Sequence, residues 1–175
     1  MTPLKQDDFV AIIREATEAV FSTMLSLPAV PQPIRQESGP PVPANGVIAM
    51  VSIAGTWTGM GQLNCAPELA CRLAGALLMS EYAAVNDDVL DAMAEVANMI
   101  IGNIKTTLEE HLGSLALGIP TVLYGRNYQT RTPGVPDWTV VPFASGEHTI
   151  EIRFCLLPSS TAPRSHSPRP ELALA

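Results

Sequence analysis

Asp91, Glu95, Asn98 and Gly102 stand at i, i+4, i+7 and i+11 in a stretch of helical periodicity, so an α-helix would align them within about 60° on one face. Such a row can form an ion pair with an incoming cation and can hold a water molecule by hydrogen bonds. The amide suits the second task because it donates and accepts at once, does not repel an anionic group and does not titrate. Glu-x-x-Asn alone is common on helices, and an ordinary solvated face is the competing reading. Against it, solvated faces are normally filled with Lys, Glu, Gln and Arg. Asn98 and Gly102 together cost about 1–2 kcal/mol of helix stability against Ala or Glu. A local rule broken without a packing reason marks a place where function can sit. Glu109, at i+18, continues the same row.

Elsewhere the chain carries little catalytic equipment. His111, His148 and His166 are scattered without HxxxH spacing, and no GxSxG, P-loop, GxGxxG or CxxC motif is present, so no metal site or cofactor of its own is expected. Gly55–Gly61 follows strand logic rather than that of a phosphate cradle. Trp57 and Trp138 sit in strand-like runs as core or sheet-surface residues. Cys65, Cys71 and Cys155 are an odd number in apolar contexts and read as buried free thiols. A net charge of −7, with Lys5 and Lys105 the only lysines, argues against a nucleic-acid footprint. No apolar run approaches the roughly 20 residues needed to span a bilayer, and Met1–Asp8 is polar rather than a leader. A cytoplasmic protein without membrane attachment is expected. A small-molecule sensor with its pocket between sheet and helices finds no polar cluster in support.

The row must be held by a long helix over Asp88–Leu112, whose opposite arc is apolar at Leu90, Met93, Val96, Ala97, Ile100, Ile101, Ile104, Leu108 and Leu112. Asn86-Asp87-Asp88 caps it and Gly113 ends it. Before it, Asp7 and Asp8 open a helix that keeps its spacing to Leu27, and Pro28 stops it. The segment 28–44 has six prolines and reads as an extended surface loop that cannot pair in a sheet. Asn45-Gly46 reads as a turn launching an antiparallel hairpin through Cys65, and Pro67 starts a second helix reaching about Glu81. After the long helix come three strand-like runs, PTVLYGR, DWTVVPF and HTIEIRFCLL, separated by Pro133-Gly134 and Ser145-Gly146 turns. The order lacks strict βαβ alternation, so the fold class is α+β, a mainly antiparallel sheet of about five to six strands covered by long helices. One domain spans residues 1–158, and 159–175 has the composition of a disordered tail.

Asp91-x3-Glu95-x2-Asn98, with Gly102 one turn on and Pro120 opening a strand, resembles the signature of the CheC/CheX/FliY phosphatases of bacterial chemotaxis. The likeness extends over 87–126, through Asn98-Met99, Leu108-Glu109, Gly113 and PTVLYGR, and over the element order from Asp8 to Leu157. Only one copy of the motif occurs, because the first helix has Glu15-x-x-Glu18 without an Asn; the chain is therefore similar to single-site CheX rather than two-site CheC. Two departures stand out. Ala97 replaces the glycine that many members have before the Asn, and the spacing from Asn98 to Pro120 is one residue short of the commonest pattern.

The resemblance implies a phosphatase whose substrate is a phosphorylated CheY-like receiver domain, with Mg²⁺ in the receiver rather than in this chain. Glu95 and Asn98 would be the catalytic pair, and Asp91 and Gly102 would serve partner binding. It also implies a homodimer formed by joining sheets, since DWTVVPF and HTIEIRF would need their edges covered. The competing class is a phosphatase-dead adaptor that binds a receiver or a flagellar-motor partner.

Overall fold

The computed structural model describes residues 4–38, 44–129 and 137–159. One antiparallel sheet is covered on one face by three helices, with the order α1 (Gln6–Val20), β1 (Val30–Pro31), β2 (Arg35–Ser38), β3 (Ala44–Gly55), β4 (Trp57–Cys65), α2 (Pro67–Leu78), α3 (Asp87–Leu112), β5 (Leu115–Leu117), β6 (Thr121–Tyr128), β7 (Asp137–Ser145) and β8 (His148–Pro158). The path across the sheet is β1-β7-β8-β4-β3-β5, with β2 also on β7 and β6 also on β3. The α+β class is borne out, with eight strands in place of five to six. The extra ones are β1, β2 and the three-residue β5.

Alternation along the strands sends Val47, Ala49, Val51, Ile53, Leu63, Val141, Phe143, Ile150, Ile152 and Phe154 into one core with the helices. The expected hairpin forms, with Gly55 at its turn at φ 145°. Asn45-Gly46 is not its launching turn. It lies inside β3 at a register shift against β6, where Asn45 Oδ1 accepts from the Asn127 N–H at 2.8 Å and a Cβ on Gly46 would fall 2.4 Å from the Cys65 carbonyl oxygen. The first helix continues past Val20 as a π-helical turn, Phe21–Leu25, and stops at Ser26 in a left-handed conformation. The second ends at Leu78, short of Glu81, with Met79 left-handed at its C-cap.

The proline-rich segment departs most from expectation. Val30–Pro31 and Arg35–Ser38 pair antiparallel with β7 along the sheet edge. Proline is tolerated at an edge because its missing donor faces outward, and 34–39 are free of it. Arg35 and Glu37 then interlock with β8: Arg35 meets Glu151 at 2.7 Å and Arg153 meets Glu37 at 2.5 Å, while Arg153 lies 5.8 Å over the Trp138 ring. Burial would raise the Glu37 carboxyl, but Arg153 and Arg35 outweigh it and hold it below its ordinary value. The reason given for a dimer at β7 and β8 therefore fails, since β1 and β2 cover β7 and β8 is interior. Residues 39–43, the Pro133-Gly134 turn and 160–175 lie outside the described residues; Ser159, placed in the tail by composition, bonds the carbonyls of Thr56 and Gly55. No helix of the described residues is long and apolar enough to cross a membrane.

Candidate functional site

Helix α3 is held at both ends and along its inner face. At its start the Asn86 side chain accepts from the Val89 N–H at 3.0 Å, and Asp87 and Asp88 place negative charge in the first turn, where the helix dipole favours it. At its end the Thr56 hydroxyl donates to the Leu112 carbonyl at 2.7 Å. Glu109 accepts from the Leu115 N–H at 2.8 Å and from Lys105 at 2.7 Å. These two bonds hold the Glu109 carboxyl below its ordinary value, the Lys105 bond more than the backbone one. Glu109 shares the azimuth of the row but fixes the helix terminus instead.

Nine of the inner residues, Val89, Met93, Val96, Ala97, Ile100, Ile101, Ile104, Leu108 and Ala92, are at most 3% exposed. Val89 and Ala92 join the expected stripe and Leu90 is only half-buried. The helix presses on β4 at Gly61, where a Cβ would stand 2.8 Å from Ile101 Cδ1 and 2.9 Å from Phe154 Cε2. Ala97 is buried on this side, facing away from the row.

On the outer face Asp91, Glu95 and Asn98 are exposed and Gly102 is half-exposed. Glu95 and Asn98 lie about 60° apart around the axis and about 4.5 Å along it, and Gly102 follows about 6 Å further. Among the described residues neither Glu95 nor Asn98 makes a side-chain hydrogen bond or ion pair, so both functional ends point to solvent from a fixed backbone. Gly102 has no need to be glycine for the chain's own packing. Its Cβ would meet only Leu117 Cδ1, at 3.9 Å. All four row residues are thus brought to one surface. Among the described residues no group of three His, Cys, Asp or Glu side chains converges in a way that could hold a metal ion.

The cysteines are free and buried. Burial, with a smaller contribution from Cys71, pushes the Cys65 thiol up to about 12, and burial pushes Cys155 up to about 11. Neither offers a thiolate nucleophile near neutral pH.

A single antiparallel sheet backed by three helices is the fold of several solved chemotaxis proteins. A CheC-like superfamily protein from Shewanella superposes with a TM-score of 0.77 at 19% identity, over 87% of this chain and 99% of that one. The chemotaxis protein CheX from Desulfovibrio desulfuricans gives 0.76 at 24% identity, over 86% and 99%. A CheX–CheY–BeF3–Mg²⁺ complex from Borrelia burgdorferi gives 0.71 at 24% identity, over 85% and 97%. No match is found among curated protein sequences. The family model described as chemotaxis phosphatase CheX matches residues 47–153, and the chain belongs to that family.

Proposed function

We propose that the protein accelerates hydrolysis of the aspartyl phosphate of a CheY-like receiver domain by inserting Glu95 and Asn98 into the receiver's active site. The observation that carries this is the pair of unpartnered, exposed side chains, carboxylate and amide, one turn apart on a helix otherwise locked into the core. Hydrolysis of such a phosphoryl group is largely positioning and electrostatics. Glu95 pairs with the receiver's lysine and fixes docking register, while Asn98 holds a water in line with phosphorus. Asp91 contacts the rim and Gly102 lets the partner's backbone come close. The Mg²⁺ belongs to the receiver. The complex of the Borrelia relative with CheY and Mg²⁺ supports this division of labour.

The test is phosphate release from a phosphorylated receiver with Mg²⁺. Asn98→Ala removes most of the acceleration, about a hundredfold for about 2.7 kcal/mol of transition-state stabilisation, with little loss of binding. Glu95→Ala weakens both. Equal rates for wild type and Asn98→Ala across several receivers would sink the enzymatic reading. Capture of a receiver without faster decay would point to the adaptor.

For the homodimer, we place the contact at the β6 edge. There Ile119, Leu123 and Tyr124 are 90%, 39% and 53% exposed, and β6 has no second strand partner among the described residues.

A further inference from the structure

A cavity of about 520 Å³ opens where the start of α1, the last turn of α3 and strands β2, β4, β7 and β8 meet. His111 on its wall stands thirteen residues along α3 from Asn98, about 20 Å by the helical rise, so the cavity is separate from the proposed docking row. Its volume falls within the roughly 300–1,000 Å³ of small-molecule sites.

One wall is aromatic. Phe9, Trp57 and Phe154 line it, and Phe9 meets Phe154 edge-on with ring centroids 5.6 Å apart and planes at 79°. The polar lining is built rather than incidental: the Thr139 hydroxyl, on a residue 6% exposed, accepts from the Gln6 amide at 3.1 Å and the Gln36 amide at 3.2 Å. Lys5 and His111 also line the cavity, and neither forms an ion pair among the described residues. Among the described residues the one lining acid is Asp137, which accepts a hydrogen bond from the Ser38 hydroxyl.

An aromatic wall beside two unpaired nitrogen donors selects for a flat apolar body that carries a negative group. A neutral hydrocarbon would offer the Lys5 and His111 donors no acceptor, and a cation would be repelled by the Lys5 ammonium. We propose that this cavity binds a planar aromatic acid, its rings against Trp57 and the accessible edge of Phe9 and its carboxylate toward Lys5 and His111. The site does not depend on the phosphatase reading.

The probes are 1-naphthoate and its uncharged counterpart 1-naphthylmethanol, titrated into the full chain and followed by NMR at the Trp57 indole N–H and the Phe9 and Phe154 rings. The Trp138 indole serves as the internal control. The expected result is saturable shifts at the three cavity rings with the acid bound at least tenfold tighter than the alcohol. In Lys5→Met, whose exposed side chain makes no capping bond, and in the Lys5→Met/His111→Gln double variant, the preference for the acid disappears while the spectrum stays folded. Absence of saturable shifts up to millimolar probe, equal affinity for acid and alcohol in wild type, or an unchanged preference in the double variant overturns the proposal.

Discussion

Gly102 is the one residue of the row whose side chain, or lack of it, sets both stability and access. A Cβ there would make only an ordinary contact with Leu117, at 3.9 Å, and glycine inside a helix is about 1 kcal/mol worse than alanine. Gly102→Ala therefore raises stability by about 1 kcal/mol in a denaturant titration and weakens receiver binding, whereas a purely structural glycine would give only the first effect. At the thiols, the raised Cys65 and Cys155 predict that Ellman's reagent labels neither within minutes at about pH 8 in the native protein, and both after denaturation. The row itself was legible in the sequence because i, i+4 and i+7 are local relations that helical geometry fixes without knowledge of the rest of the fold. Glu109 was not. Periodicity gives its azimuth correctly, but its role depends on the Leu115 N–H, which the chain brings back only after the helix has ended.

At the scale of elements, α3 is a rigid rod because β4 offers it a groove at Gly61. Gly61→Ala drives a methyl into Ile101 and Phe154 and destabilises the protein by about 1–3 kcal/mol, read as a fall in melting temperature. The C-terminal anchor of the rod is sensitive to acid. Because the folded-state value of Glu109 lies below the ordinary 4.5, its contribution is fully present above that value and is lost as pH falls through the folded one. The melting-temperature gap between wild type and Glu109→Gln is therefore constant above about pH 5.5 and narrows below about pH 4.5. Helices α1, α2 and α3 were readable to within a few residues from their apolar stripes and stops, although only α3 has a side-chain cap. Asp7 and Asp8 lie inside the first turn of α1, while Lys5 stands at its cap. Strands β1 and β2 were hidden by neighbouring prolines, and what makes them strands is an edge contributed by a segment about a hundred residues later.

At the scale of the whole molecule, the sheet has one edge closed by its own chain and another, at β6, carrying exposed apolar side chains. If that edge joins two copies, Leu123→Glu gives a monomer by analytical ultracentrifugation with its fold intact by circular dichroism, and an unchanged mass removes β6 from the interface. The cavity at the other end of α3 was invisible in the sequence for a reason of the same scale. Lys5, Trp57, His111 and Phe154 come from four distant segments, and no spacing rule connects them.

The closure of the β7 edge also bears on how the chain is made. Arg35 meets Glu151 across 116 positions, so the segment carrying β1 and β2 leaves the ribosome early and has no partner until almost the entire domain has followed. Helix α3 and the β3–β4 hairpin can assemble from contiguous sequence in that interval, but the sheet cannot be completed. The high sequence separation of these pairings makes closure of this edge a late step, slow relative to the helical core. During translation the segment 28–38 has no β7 to join, and Pro28, Pro31 and Pro33 limit what its first half can pair with while it waits.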